Sequence, residues 1–313
     1  MIDDWSPRAE QREVRGAPDG RSMSECVEVA LRGQADLGEG PWWDAEVGEL
    51  LWVDLLVGEI HRFNPSSGTD ISFEVGQPVG TVARRRCGGL VCAVQDGVMF
   101  VDPNRAEAKV VAEIERALPH LRMNDGLCDP AGRLWVGTMA VNLSPFQGSL
   151  YRVEPDLQVT ALRTGVSVSN GLDWSPDGRT FYFTDSAARC VDAYDFDVST
   201  GDLRNGRPLI EMSDPVATPD GLAVDAEGNL WIAMWDGGCV RQYNAQGRLL
   251  RTIKLPVSRP TSVAFGGSRL DQLFITSARG GLSEASLKAE KHAGSIFVAE
   301  GLATGRLPYE FAG

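Results

Sequence analysis

The sequence lacks most of the patterns that common hydrolase and nucleotide-binding sites use. It has three histidines, His61, His120 and His292, and no H-E-x-x-H, G-x-S-x-G, P-loop or G-x-G-x-x-G motif. Without these motifs a Ser-His-Asp hydrolase is disfavoured. His61 lies in an alternating strand-like run and His292 in a polar loop, so we expect packing or surface roles for both.

Cysteine pairs and long hydrophobic runs are also missing. None of the six cysteines forms a C-x-x-C pair, which disfavours a zinc knuckle or a thioredoxin-like site. Most lie in apolar strand-like contexts, where cysteine behaves as a small hydrophobe, and we expect them to be reduced. No apolar run approaches the ~20 residues that cross a bilayer, and the N-terminal stretch lacks the apolar region of a signal peptide. These features predict a cytoplasmic protein.

Positive charge is scarce in this chain. Its 30 basic and 43 acidic residues give a net charge of -13. Phosphate backbones repel an acidic protein, so we expect no nucleic-acid partner. No basic stripe suits an anionic membrane surface either, and we expect no membrane partner. The charge also serves solubility, and it leaves the oligomeric state open.

The first 22 residues are polar, mixed in charge and without hydrophobic periodicity. Such a stretch buries too little apolar surface to offset the entropy of ordering it. We therefore expect residues 1–22 to be a disordered extension and residues 23–313 to form one domain.

A repeat runs through the rest of the chain. Six runs occupy equivalent positions in it: "LLWVD", "GLVCAV", "RLWVGT", "TFYFTD", "NLWIAM" and "QLFITS". Their first large apolar residues follow one another at intervals of 39, 44, 47, 49 and 43 residues. A turn precedes each run, a short apolar strand precedes the turn, and a second alternating run follows. A period of about 40–50 residues with about four strands per unit is typical of a β-propeller.

Six units predict an all-β fold, a six-bladed β-propeller. A propeller must close its ring, and the alternating stretch "CVEVALRG" (26–33) precedes the first full unit. We expect this stretch to add the outermost strand to the last blade. No long amphipathic helix is predicted, and residues 282–291 form at most one short helix.

Four repeats carry a polar residue immediately before a glycine, where the innermost strand begins: Glu39, Asp125, Asn170 and Asp220. Innermost strands line the channel of a propeller, so these residues should converge at one mouth. Oxygen donors of mixed charge suit a hard divalent cation such as Ca²⁺, Mg²⁺ or Mn²⁺, and the glycines would let the backbone turn tightly beside it. The alternative is a plain turn, because Asp-Gly and Asn-Gly are common turn dipeptides.

The longer motifs resemble the SMP-30/gluconolactonase/regucalcin family, in the order of that family. They include "LGEGPWWD", "RMNDGLCDPAGRLWVGTM", "SNGLDWSPDGRTFYFTDS" and "TPDGLAVDAEGNLWIAMWDGG". The resemblance covers roughly residues 26–313. It implies a six-bladed propeller with one divalent metal in the central channel, Ca²⁺ first, with Zn²⁺, Mg²⁺, Mn²⁺ or Fe²⁺ as alternatives.

The resemblance also implies roles for single residues. Glu39, Asn170 and Asp220 match the metal ligands of the family. Arg122 and Asn124 match the residues that hold the substrate, and Asp125 would support the ligands from behind them. Animal members carry acidic residues soon after the "GTMA" stretch, where this sequence has Asn142 at the closest position. An amide can bind a sugar hydroxyl but offers no carboxylate, which leaves the preferred sugar acid open.

The function that follows is that of a metal-dependent lactonase, a carboxylic-ester hydrolase of the gluconolactonase type. Its small-molecule partner would be an aldonolactone such as gluconolactone, xylonolactone or arabinonolactone, opened to the aldonic acid. Asp220 is the candidate catalytic base. Two alternatives remain: hydrolysis of organophosphates or other lactones on the same propeller, and a non-catalytic regulatory protein that binds a divalent metal.

Overall fold

The computed structural model of the protein describes residues 27–103 and 105–313. These residues form 24 β-strands and one short helix, and the strands make six antiparallel sheets of four strands each. The innermost strand of each sheet contacts the innermost strands of the two neighbouring sheets, and the last of them contacts the first. The fold is therefore the predicted six-bladed β-propeller. The predicted N-terminal extension, residues 1–22, lies outside the described residues.

Each blade is built of four strands ordered from the channel outwards. The innermost strands are β2 (Gly38–Asp44), β6 (Val79–Arg84), β10 (Leu121–Cys128), β14 (Ser169–Trp174), β18 (Thr218–Val224) and β22 (Pro260–Gly266). The second strands are β3 (Glu49–Asp54), β7 (Leu90–Val94), β11 (Leu134–Ala140), β15 (Thr180–Asp185), β19 (Leu230–Trp235) and β23 (Gln272–Ser277). The six apolar runs of the sequence repeat form these second strands.

The outer half of each blade is more exposed. The third strands are β4 (Glu59–Asn64), β8 (Gly97–Asp102), β12 (Gly148–Val153), β16 (Cys190–Asp197), β20 (Cys239–Tyr243) and β24 (Ile296–Glu300). The outermost strands are β5 (Thr69–Glu74), β9 (Glu107–Glu113), β13 (Val159–Val166), β17 (Asp202–Glu211), β21 (Leu249–Lys254) and β1 (Val27–Leu31).

The strand β1 closes the ring, as the sequence predicted. It pairs antiparallel with β24, where Val27 faces Ala299 and Val29 faces Phe297. The last blade thus takes three strands from the end of the chain and one from its beginning. Closure of this kind leaves no unpaired edge between the first and last units of the ring.

In two blades, an aspartate at an equivalent position holds the turn between the first and second strands. Asp129 accepts hydrogen bonds from the backbone N–H groups of Ala131 and Arg133, and from Trp135 Nε1 at 2.9 Å. Asp225 makes the same bond to Trp231 Nε1, also at 2.9 Å. Both aspartates are fully buried. A single carboxylate therefore closes the turn and fixes the tryptophan that fills the space between blades.

The core lies between the faces of adjacent blades. Trp135 and Trp174, from neighbouring blades, meet edge to face with ring centroids 5.6 Å apart. Phe181 packs against both rings. Aromatic pairs in this arrangement contribute about 0.5–1.5 kcal/mol beyond their buried area.

The helical and cysteine predictions agree with the structure. The helix α1 (Glu284–Ala289) is six residues long, and the Ser283 side chain caps its N-terminus. The described residues contain no helix long and apolar enough to cross a membrane. Five of the six cysteines lie in the described part of the chain, and these five are free thiols.

The end of the chain crosses one face of the propeller. The backbone N–H of Gly305 donates to Leu270 in the last blade, and that of Phe311 donates to Arg84 in the second blade, at 2.9 Å. Between these points, Arg306 Nη2 contacts both carboxylate oxygens of Asp173, at 3.1 and 3.2 Å. All these partners lie where innermost strands end or where first and second strands connect. The chain end therefore covers the channel mouth opposite to the starts of the innermost strands.

Candidate active site

The starts of the innermost strands surround a pocket of about 270 Å³ at the open mouth of the channel. Five predicted site residues line it: Glu39, Arg122, Asn124, Asn170 and Asp220. They come from four different blades. The ring geometry thus brings together side chains that are up to 181 residues apart in the sequence, from position 39 to position 220.

A break in strand register aims these side chains at the channel. The pairing between first and second strands shifts between Glu39 and Trp42, between Ser169 and Leu172, and between Pro219 and Leu222. A bulge leaves a residue outside the regular ladder and redirects its side chain. Asn170 and Asp220 lie inside such a shift, and Glu39, which still pairs with Val53, lies at the edge of one. The pairing also shifts between Met123 and Gly126, so all four polar–glycine pairs lie at bulges within strands.

The glycines allow close approach between neighbouring strands, which differs from the predicted tight turn. Only Gly40 of the four has a positive φ, +53°, whereas Gly126, Gly171 and Gly221 lie outside the left-handed region. A Cβ atom at Gly171 would lie 2.3 Å from the backbone nitrogen of Leu222, on the next blade. The plain-turn alternative does not fit these three glycines, because each lies inside a strand. Gly171 and Gly221 stand where two innermost strands touch, and Gly126 stands against the second strand of its own blade.

The pocket concentrates negative charge away from water. Burial, followed by the charges of Asp220 and Asp125, raises the pKa of Glu39 well above its usual range. Burial and then the charge of Asp125 do the same to the pKa of Asp220, while a hydrogen bond from Asn170 opposes the rise. Burial also lowers the pKa of Arg122 to about 10, against the charges of Glu39 and Asp220. The site therefore crowds three acidic side chains near one arginine, in surroundings that disfavour their charged forms.

Arg122 is fixed in place through Asn124. Its Nη1 donates to Asn124 Oδ1 at 2.6 Å and to the Met123 carbonyl at 3.0 Å. Asn124 Nδ2 in turn donates to the Ser169 carbonyl on the next blade, at 2.7 Å. Both ends of the buried Asn124 amide are thus used within the protein. Arg122 and Asn124 therefore line the pocket in fixed orientations, and their predicted contacts with a substrate stay predictions.

Asn170 is held by a residue that the sequence did not reveal. Its Nδ2 lies 3.1 Å from the Ser186 hydroxyl, and its Oδ1 accepts from the backbone of Gly171 at 3.1 Å. Ser186, Thr218 and Trp235 also line the pocket. All three lie inside the quoted family motifs, but nothing in the sequence singled them out as site residues. Thr218 begins β18, Trp235 ends β19 and Ser186 follows β15.

Asp125 lies below the pocket. It lines a second, smaller cavity of about 70 Å³, together with Asp173 and Arg306. Burial raises the pKa of Asp125 to about 7, although its carboxylate accepts a hydrogen bond from Gly126 N at 2.7 Å. Because its charge acts on both Glu39 and Asp220, Asp125 is placed to influence them from behind.

Asn142 lies outside the pocket. Its side chain is exposed, and its Oδ1 accepts from the backbone N–H of Ser144 at 3.0 Å. The next residue, Leu143, lines the pocket mouth instead. The structure thus brings Asn142 near the site without directing its amide into it, and its predicted contact with a sugar hydroxyl stays a prediction.

The comparisons with known proteins agree with this architecture. Residues 37–279 match the family described as the SMP-30/gluconolactonase/LRE-like region. The chain belongs to this family. The regucalcin of Oryctolagus cuniculus is 40% identical over 296 residues, which cover 92% of this chain and 98% of that protein. The family membership predicted from the motifs is therefore confirmed.

Solved structures extend the similarity of this SMP-30-family chain to three dimensions. A calcium-binding protein, regucalcin from Agrobacterium tumefaciens, superposes with a TM-score of 0.88 at 30% identity, and the match covers 90% of this chain and 96% of that one. A luciferin-regenerating enzyme gives a TM-score of 0.86 at 32% identity, covering 92% and 99%. These relatives include one protein described as an enzyme and one described as calcium-binding.

The donor chemistry of this family member fits a hard divalent cation. Within residues 27–103 and 105–313, no group of three or more His, Cys, Asp or Glu side chains is arranged as a metal site. The predicted set is of another kind, since it combines the carboxylates of Glu39 and Asp220 with the amide of Asn170. All three are buried, and a cation would offset the mutual repulsion of the carboxylates.

Proposed function

We propose that this SMP-30-family protein is a divalent-metal-dependent lactonase. It opens a sugar lactone such as gluconolactone, xylonolactone or arabinonolactone to the aldonic acid. One observation carries the proposal: Glu39, Asn170 and Asp220 converge in a single pocket, beside an arginine that is oriented for a ligand. A protein that only binds metal has no need of that arginine.

Each residue has a distinct task in this proposal. Glu39, Asn170 and Asp220 would hold the cation, Ca²⁺ first, and Zn²⁺, Mg²⁺, Mn²⁺ or Fe²⁺ as alternatives. When bound, the cation supplies Lewis-acid polarisation of the lactone carbonyl. Asp220 takes the proton from the attacking water, a role open to a buried carboxylate that lines the pocket.

Arg122 orients the substrate. Its guanidinium faces the pocket and is fixed by Asn124, so it donates hydrogen bonds to the ring or its hydroxyls at little further entropic cost. Asp125 stays behind the ligands and keeps the local charge negative. The proposed partner is therefore a small neutral lactone, which an acidic pocket does not repel.

A panel of sugar lactones tests this function. The purified protein is mixed with each lactone in weak buffer that contains a pH indicator, with and without EDTA, because ring opening releases a proton. We expect acidification with at least one aldonolactone, its loss with EDTA, and its return with more than one divalent ion. Turnover that persists in protein shown by elemental analysis to be metal-free would contradict the metal-dependent proposal.

A non-catalytic calcium-binding role is the second candidate. It is favoured by the Agrobacterium relative, which is described as a calcium-binding protein. The same panel separates the two roles when metal binding is measured in parallel by calorimetry. Tight Ca²⁺ binding without turnover of any lactone would support the non-catalytic role.

A further inference from the structure

Exposed apolar side chains gather on the face that carries the pocket. In each blade the loops between second and third strands, and those leading to the next blade, lie on the same face as the starts of the innermost strands. Large exposed hydrophobic residues on these loops are Leu56, Val57, Leu118, Val141, Leu143, Phe146 and Val216. Water therefore meets an unusually apolar surface around the mouth of a polar site.

The loop 141–147 forms the nearest part of this surface. The side chain of Leu143 is 66% exposed and that of Phe146 is 71% exposed, and Leu143 lines the pocket itself. The loop also begins directly after Met139 and Ala140, the end of a fully buried strand. Its apolar side chains thus continue the wall of the pocket outwards into solvent.

The backbone of this loop is strained in a way that presents both side chains. Leu143 and Phe146 each have a φ of 62°, a region that large residues rarely adopt. Hydrogen bonds hold the conformation: Asn142 Oδ1 accepts from Ser144, and Ser167 Oγ accepts from Phe146 N at 3.2 Å. The loop is therefore built to hold two apolar side chains outwards at this mouth.

The wall of the pocket is also partly apolar. Six of its lining residues are apolar: Leu37, Met139, Leu143, Val168, Ala187 and Trp235. The Trp235 ring is held from one face by the Arg259 guanidinium, 4.7 Å from its centroid. Sugar hydroxyls have no hydrogen-bond partner on the aliphatic part of this wall, and placing them there would cost free energy.

We propose that the protein also accepts lactones that carry an alkyl or aryl substituent. The ring binds at the polar end, near Arg122 and Asp220, and the substituent lies along Leu143 towards Phe146. The reaction is the same addition of water across the ring ester, so the inference rests on the proposed lactonase function. What is new is an apolar subsite, with Leu143 and Phe146 as the residues that determine this specificity.

The test separates binding from turnover. δ-Lactams that carry a methyl, butyl or hexyl group on the ring carbon beside the nitrogen resist hydrolysis, and calorimetry measures their affinity for the full chain. The matching δ-lactones measure kcat/KM. We expect affinity to rise by about twofold for each added methylene, below the roughly fourfold of complete burial, because the subsite is partly open.

Two substitutions and a control assign the effect. The double variant Leu143→Asn/Phe146→Asn loses the apolar surface, and asparagine tolerates the left-handed backbone at both positions. In this variant the lactam affinity should therefore rise much less with the length of the alkyl group. Ile71→Asn is the control, because it removes an apolar side chain that is 62% exposed from the outer strand β5. It should leave the rise of lactam affinity with chain length unchanged.

The outcomes distinguish this inference from the lactonase function. Lactam affinity that does not grow with chain length, beside normal turnover of sugar lactones, overturns the apolar subsite alone. Affinity that grows with chain length but without turnover of any lactone supports the subsite and overturns the lactonase function. If lactam affinity still rises with chain length in Leu143→Asn/Phe146→Asn, the assignment of the apolar subsite to these two residues is overturned.

Discussion

Gly171 packs so closely against the backbone of Asp220 that a Cβ atom at position 171 would lie 2.6 Å from the Asp220 carbonyl oxygen. The two residues belong to neighbouring innermost strands, β14 and β18. This contact places the preceding residue, Asn170, beside the Asp220 carboxylate. The spacing of the candidate ligands is therefore set by contact between backbones.

A side chain at position 171 should separate these strands. We expect Gly171→Ala to destabilise the protein by about 2–3 kcal/mol, since overpacking beside rigid backbone cannot relax, and to weaken divalent-metal binding. Gly165→Ala is the control, because Gly165 is exposed, has a φ of +72° and has nothing near its Cβ position. It should cost about 1–2 kcal/mol through backbone strain alone. Thermal unfolding and metal titration compare the two, and equal metal affinity would contradict the account.

The repeat in the sequence was enough to predict the blades. Strands within a blade are joined by short turns, so their periodicity is visible along the chain, and residues 26–33 showed the alternation of a strand before any unit began. The convergence of Glu39, Asn170 and Asp220 followed from the ring, because equivalent positions in equivalent units must lie at one mouth. Residue types and spacing carried all of this.

The remaining features depend on contacts that spacing does not encode. The bulges arise where neighbouring innermost strands meet. In the sequence alone, the Asp-Gly pairs at these bulges look the same as Asp-Gly pairs in turns. The chain end has no alternation, and its contact between Arg306 and Asp173 joins residues 133 positions apart. Asn142 stands close to the site in sequence, but its amide bonds to Ser144.

The buried charge of Asp125 should make the metal-free protein less stable at neutral pH. Its pKa of about 7 in the folded protein lies above the value of about 3.9 expected for the unfolded chain. Its contribution to stability is therefore complete below about pH 4 and is lost as the pH rises towards 7. Asp125→Asn removes this loss and keeps an acceptor for Gly126 N–H.

Thermal unfolding in EDTA measures this effect. We expect Asp125→Asn to unfold at nearly the native temperature at pH 4 and a few degrees higher at pH 8. The charges that share the region, Glu39, Asp220 and Arg122, remain in both proteins. A variant that is less stable than the native protein at pH 8 would show that the Asp125 charge is compensated in the fold.

Asn142 can act on the substrate directly or through the loop. If Asn142 only holds the loop, its important contact is the hydrogen bond that Oδ1 accepts from Ser144 N–H. Asn142→Asp keeps an acceptor for this bond, whereas Asn142→Ala loses it. We then expect Asn142→Ala to reduce the chain-length dependence of lactam affinity and to change kcat/KM for sugar lactones by less than about twofold. A direct hydrogen bond to a hydroxyl predicts the reverse, a loss of about 2–10-fold for sugar lactones with lactam affinity unchanged.

The central claim is that Asp220 both binds the metal and accepts the proton, and kcat as a function of metal concentration tests it most directly. In Asp220→Asn the amide oxygen still coordinates, but proton transfer is lost, which is worth roughly 10²–10⁴-fold in rate. Glu39→Gln is the matched control, since the proposal has Glu39 hold the metal without accepting a proton. With metal occupancy measured in parallel, the account predicts that saturating metal largely restores kcat in Glu39→Gln and leaves Asp220→Asn reduced by at least 10²-fold. Equal restoration of both variants would contradict the role of Asp220 as the base.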